Sequence, residues 1–380
     1  MTHGFRPFFL LAALAAALLV PAWLLLLGLG LDLPGPLDPL RWHAHEMIWG
    51  YLAAVLAGFL LTAIPNWTGR LPLAGRPLAV LVAIWLCGRL ALLLLPSEPA
   101  AALIDLAFLP VLLLAAVREV RASGSLRNLP VVGLVGLFAA GNLLFHLEPA
   151  LPLRPGIGVD LALAVIAMLI ALIGGRILPS FTQNWMARSG AARRPAPFGR
   201  FDKAALAGSG LALACWLALP AWPGSGVLLL LAALGNLVRL ARWQGYRCLA
   251  EPLLAVLHLG YLWLALSLGL LGAAIALPAW VPASAALHAL TAGAVGTMTL
   301  AVMTRASLGH TGRALHADRW TLACYALVTL GALARVVSPW WSDGYMALLA
   351  IGGAAWSAAF ALFVLRYGPI LLAARPDGRP

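Results

Sequence analysis

The chain has 380 residues, of which 63% are hydrophobic and only 10% charged, and its formal net charge is +12. A soluble domain is about half apolar and about a quarter charged. Composition therefore excludes a cytosolic enzyme, a disordered protein and a secreted disulfide scaffold, and leaves an integral membrane protein. In such a protein a basic excess points first to loops on one side of the membrane, not to nucleic acid.

A membrane-crossing helix needs about 20 mostly apolar residues. Twelve such segments follow one another over 8–31, 46–64, 77–95, 100–117, 130–147, 158–178, 203–220, 226–243, 253–277, 283–303, 320–338 and 344–366. They predict an all-α, polytopic bundle of twelve transmembrane helices forming one integral membrane domain over 1–380. The eighth is the weakest, because Asn236, Arg239 and Arg242 interrupt it. The first run is too long for a signal peptide and is kept as a span. Turns such as Pro34-Gly35-Pro36 suit helix hairpins, and the alternating segments of a membrane β-barrel are missing.

The charges test this count. With the N-terminus inside and the helices alternating, the inner ends receive 21 of the 25 basic residues, from Arg6 to Arg379. The outer loops receive only Arg41 and Arg154, and Arg89 and Arg335 fall within spans. This predicts a multi-pass membrane protein with both termini cytoplasmic, surrounded by lipid bilayer and with no nucleic-acid partner. The four cysteines, Cys87, Cys215, Cys248 and Cys324, form no C-x-x-C pair and read as small core residues.

A repeat runs through the chain. Asn66-Trp67 recurs as Asn184-Trp185 at an offset of 118, and Thr68-Gly69-Arg70 as Thr311-Gly312-Arg313 at an offset of 243. The second offset carries His45 to His288, and the first carries it to Leu163. The echo predicts three four-helix units, over about 1–128, 129–247 and 248–380, the middle one without the histidine.

Ionisable residues inside a membrane are costly and default to a functional reading. The outermost cluster is Trp42-His43-Ala44-His45-Glu46-Met47. Histidine suits haem and copper, and methionine suits Cu(I). His43 and Met47 would share a face if the helix starts early. The alternative is a pair of interfacial histidines bonded to loop carbonyls. His288 stands in the tenth span, followed by Gly293 and Gly296, small residues that let a helix or a flat macrocycle approach. His258 in the ninth span is a second candidate ligand, or a hydrogen-bond partner of a neighbouring helix. His146 beside Glu148 reads as an interfacial histidine. Arg89 and Arg335 could bind haem propionates. Each also has an acid across its hairpin, Asp105 and Asp343, which predicts structural ion pairs. Spans 6 and 7 hold no histidine, which argues against a respiratory haem–copper oxidase.

Several strings, in order, carry a resemblance. They are Gly4-Phe5-Arg6-Pro7-Phe8-Phe9, Trp42 to Met47, Gly58 to Ala63 leading to Pro65-Asn66-Trp67-Thr68-Gly69-Arg70, and Gly174-Gly175-Arg176 leading to Asn184-Trp185. Two more are His288-Ala289-Leu290-Thr291-Ala292-Gly293 and Met303-Thr304-Arg305 leading to Gly309-His310-Thr311-Gly312-Arg313. Together they resemble the NnrS family. The resemblance implies a haem- and copper-containing bacterial membrane protein associated with nitric oxide, in denitrification and under nitrosative stress. It raises His43, His45 and His288 as haem or copper ligands, followed by His258, and makes Arg89 and Arg335 plausible propionate partners. The expected function is binding of nitric oxide or a nitrosyl species at a membrane-embedded metal. The rival is a secondary transporter of a small or metal-bound species, which twelve helices and a repeat also suit.

Overall fold

The computed structural model describes residues 3–124, 128–190 and 194–376. Arg127, Arg193 and Arg379, three of the basic residues assigned to the inner side, lie outside these. Among the described residues there are twelve long helices and no strand. They are α1 Phe5–Leu29, α2 Pro39–Thr68, α3 Gly75–Leu94, α4 Glu98–Ala122, α5 Leu129–Leu147 and α6 Ile157–Arg188, followed by α7 Arg200–Ala218, α8 Pro223–Arg242, α9 Pro252–Ala276, α10 Ala283–His310, α11 Arg319–Val337 and α12 Tyr345–Leu372. Eleven are long and apolar enough to cross a membrane. The exception is α7, whose first turn contains Arg200, Asp202 and Lys203.

The chain divides into two compact units. The first comprises 1–165, 307–313 and 360–380, and the second 166–306 and 314–359. In the first unit, α1 buries Phe5, Phe8, Phe9, Ala12, Ala13 and Ala16, a helical stripe that packs on α2. Helix α2 starts sharply: Pro39 occupies its first turn, and Asp38 Oδ1 accepts from the Leu40 and Arg41 amides at 3.0 Å each. Close helix approaches rest on glycine. A Cβ on Gly158 of α6 would fall 2.5 Å from the Phe145 nitrogen and 2.6 Å from the Gly141 carbonyl oxygen of α5. Both obstacles are backbone, so Gly158→Ala must push two helices apart. Overpacking of this kind costs about 1–3 kcal/mol, and thermal unfolding in detergent should register it; an unchanged midpoint would contradict the close approach.

In the second unit α8 packs on α7 and α9, and α9 on α10. Here the weak eighth span finds its explanation. Arg239 is fully buried, so it is not one of the solvated basic residues that mark a membrane side. Its Nε donates to Asp202 Oδ1 of α7 at 3.2 Å, and its Nη1 donates to Asn236 Oδ1 and the Ala171 carbonyl, both at 3.2 Å, and to the Tyr261 hydroxyl at 2.5 Å. Tyr261 in turn donates to Asn236 Oδ1 at 2.6 Å. The acid that sets α7 apart and the base that interrupts α8 thus neutralise each other inside the unit. Gly175 of α6 makes the room, since a Cβ there would lie 2.1 Å from Arg239 Nη2.

Two helices change their winding. Helix α2 is π-helical over Glu46–Leu52 and α10 over Ala289–Val295. The two π segments have equal length, directly follow His45 and His288, and are separated by the 243 residues that relate those histidines. Helix α6 is α-helical throughout, and Leu163 stands at its equivalent position. π-turns are rare and concentrate at functional sites.

Candidate metal centre

The first π-turn lies beside a buried polar cluster built from four helices. His45 of α2, Asp105 of α4 and His146 of α5 each offer one ligand atom, and these atoms lie within 4.8 Å of one another. His45 Nε2 and His146 Nε2 are both 3.1 Å from Asp105 Oδ2. Asn142, one turn before His146, donates from Nδ2 to the same oxygen at 2.8 Å, and its Oδ1 lies 3.0 Å from His45 Nε2. The other carboxylate oxygen, Oδ1, accepts from Arg89 of α3. Arg89 Nη1 also donates to Glu46 Oε1 at 3.0 Å, and Glu46 Oε1 lies 3.3 Å from His45 Nδ1. His45, Glu46, Asp105 and Asn142 are essentially solvent-free.

Glycines open the space for this cluster. A Cβ on Gly50, inside the π-turn, would fall 2.7 Å from Glu46 Oε2 and 2.9 Å from Arg89 Nη1. A Cβ on Gly88 would press on Asp105 at 3.1 Å. The Gly50 carbonyl accepts from Trp85 Nε1 at 3.0 Å. Trp49, Phe145 and His146 surround the His45 ring with centroids 5.1–5.2 Å away. Arg41 closes the end of the site, lying over Phe145 at 4.8 Å and donating to its carbonyl at 3.2 Å.

The donor set is two imidazole nitrogens and a carboxylate oxygen, which suits a first-row transition metal such as iron, copper or zinc. With both histidines neutral, two carboxylates against one guanidinium leave one negative charge over in a dry site, and a bound cation would compensate it. Asn142 and Arg89 hold the carboxylate by contacts that leave the histidine side of Oδ2 facing the donors, the outer-shell orientation that metal sites require.

The expected residues fare differently. His45 enters the cluster, but His43 stacks on Trp23 of α1 with ring centroids 4.1 Å apart. The π-turn also breaks the four-residue register that would have paired His43 with Met47. The Arg89–Asp105 ion pair forms as expected. Arg335 does not pair with Asp343 among the described residues; it donates to Ser338 Oγ, three residues on, at 3.1 Å and across to Ser284 Oγ of α10 at 3.2 Å. His258 bonds the Leu254 carbonyl at 3.0 Å through Nδ1 and faces Thr182 Oγ1 at 3.2 Å through Nε2, so both nitrogens are engaged. His288 Nδ1 donates to the Ser284 carbonyl at 2.7 Å, and among the described residues none bonds its Nε2. Gly293 and Gly296 admit the indoles of Trp263 and Trp356, whose atoms would lie 2.6 and 2.4 Å from added Cβ atoms; the small residues after His288 are therefore filled by tryptophan.

His146 bonds Asp105 inside the cluster, a role that sequence reasoning missed together with that of Asn142. A signal existed: Asn142 and His146 are four apart on one face of α5, at the same end as Asp105 and Arg89.

The chain matches the NnrS protein family over residues 1–375, nearly its whole length. It belongs to the NnrS family. A comparison with curated proteins finds no match. For a member of the NnrS family, the resemblance raises the question of haem and copper, and the two histidine positions answer it differently. At His45 both ring nitrogens meet polar side chains and aromatic rings line the flanks, so the donors fit an ion rather than a macrocycle. At His288 the carbonyl bond to Nδ1 leaves Nε2 as the acceptor nitrogen of the ring, and Arg335 is anchored one turn away on Ser284. Those residues offer one imidazole nitrogen and one nearby guanidinium, a donor and a cation that suit a metal with an anionic group beside it.

Proposed function

We propose that this NnrS family member binds a transition-metal ion through His45, Asp105 and His146, and haem or copper through His288 with Arg335 as its anionic-group partner. We propose further that it acts in the response to nitric oxide and nitrosative stress. His43 and His258 then serve as packing and hydrogen-bonding residues, and Arg89 orients Asp105 instead of meeting a propionate. The convergence of two histidines and a carboxylate in a solvent-free pocket beside a π-turn is the observation that carries this reading. Family membership supplies the link to nitric oxide.

Bound haem or copper would supply one-electron redox chemistry and an open coordination position for a small ligand. The chain itself supplies the surroundings. Arg89 and Asn142 fix the Asp105 carboxylate, Trp49 and Phe145 exclude water, and the apolar helices give nitric oxide a path through lipid. The matching π-turns after His45 and His288 support a repeat relating the first and last four-helix units. We place the basic helix ends in the cytoplasm of a bacterium, with the N-terminus, on the distribution of Arg and Lys.

Metal analysis and optical spectra of purified variants test the reading. His45→Ala and His146→Ala should each lose the ion, and His288→Ala should lose or shift a Soret band or a copper signal. His43→Ala and His258→Ala should leave both in place. Protein without any transition-metal ion would overturn the first assignment, and protein without iron or copper would overturn the second.

A further inference from the structure

At one end of the first unit, three segments far apart in sequence converge with an excess of positive charge. They are His3–Arg6 before and in the first turn of α1, His310–Arg313 at the end of α10, and Leu371–Arg375 at the end of α12. Arg6 Nη1 donates to the Leu371 carbonyl at 3.0 Å and also to the Ala373 carbonyl. Arg375 Nη1 donates to the His310 carbonyl at 3.3 Å. The Phe5 ring bridges His310, at 5.6 Å, and His3, at 5.9 Å. Arg313 reaches the Thr311 carbonyl at 3.4 Å. Two of the strings that carry the family resemblance, Gly4 to Phe9 and Gly309 to Arg313, therefore meet here.

Arg6 and Arg313 find no counter-charge among the described residues: no acid forms an ion pair with either. Arg6 Nε and His3 Nδ1 are buried polar atoms with no hydrogen-bond partner, a condition that native structures rarely leave unexplained. Burial, and then the Arg6 and Arg375 charges, push the His3 imidazole below its ordinary range. Like charges are being held together at a helix-end surface.

We propose that Arg6, Arg313 and Arg375, with His3 and His310 beside them, form a binding site for a phosphate-type anion. Guanidinium groups match phosphate oxygens in fork geometry, and a basic pocket between membrane helices is the setting in which anionic headgroups are held. The phosphate belongs either to an anionic lipid or to a soluble molecule, and the two sources separate experimentally. This site is distinct in residues and chemistry from the metal centre, so each can fail alone.

The test uses the full-length protein, stripped of lipid and placed in nanodiscs of phosphatidylcholine alone or with phosphatidylglycerol. If the source is lipid, phosphatidylglycerol raises the unfolding midpoint by about 5 °C, and native mass spectrometry finds the lipid retained. If it is soluble, inorganic phosphate produces that rise in phosphatidylcholine discs, and chloride at equal ionic strength does not. In either case Arg313→Gln, which leaves the Arg6 bonds to α12 intact, removes the rise. Arg6→Gln should do the same if it folds. No rise with either phosphate source, an equal rise with chloride, or a full rise in Arg313→Gln overturns the proposal.

Discussion

Asp105→Asn should empty the metal centre. The carboxylate is the hub of the cluster: one oxygen meets His45, His146 and Asn142, and the other meets Arg89. An amide keeps the shape but loses the charge and one acceptor. Its nitrogen would also face either the Arg89 guanidinium or the Asn142 amide, donor against donor. Removing one partner of a buried ion pair costs about 3–5 kcal/mol. Glu46 still accepts from Arg89 at 3.0 Å, so the low end, about 3 kcal/mol, is expected. Ion content by metal analysis should fall to background, and the thermal midpoint in detergent should drop. Asn142→Ala, which disturbs orientation only, should weaken the ion by about 10–100-fold without abolishing binding. A variant Asp105→Asn that keeps its ion would remove Asp105 from the ligand set.

Arg239→Met should destabilise the second unit by about 3–5 kcal/mol, because Asp202 then remains charged and solvent-free beside α8. Arg242 Nη2, 3.7 Å from Asp202 Oδ2, offers only a distant and half-exposed replacement. The double variant Arg239→Met with Asp202→Leu removes both charges. It should recover most of the loss, since apolar replacement of a whole buried pair is often neutral. Thermal unfolding of the three variants measures the coupling. Equal destabilisation by the single and double variants would show that the Asn236–Tyr261 hydrogen bonds, not the ion pair, hold the network. The ion at the His45 cluster should stay in both, because none of these residues touches that cluster.

The two buried clusters show where reading a sequence stops. Arg89 with Asp105 was legible, because an arginine and an acid at matching depth across a short hairpin have few other ways to be satisfied in lipid. Arg335 with Asp343 had the same signature and formed no pair, since Ser284 and Ser338 lie nearer the guanidinium. Spacing along two helices gives depth, but the rotation of each helix about its axis decides which side chains meet. His146 illustrates the same limit. At the end of α5 it has the depth of an interfacial residue, and only the face that α5 turns toward α2 and α4 brings it to Asp105.

Sequence alone determined the membrane character of the chain, its twelve helices, the placement of most of its basic residues at one set of helix ends, its family, and His45 as a residue of interest. These properties follow from local composition and from the hydropathy of about 20 residues at a time, which the bilayer reads independently of the partner helices. Tertiary structure decided which polar residues share a pocket. It joined His45 to Asp105, Asn142 and His146, paired Arg239 with Asp202, and wound α2 and α10 into π-turns beside their histidines. In lipid a buried charge must find its complement on another helix. That choice depends on how the helices are turned and how closely their glycines let them approach, which no single segment encodes.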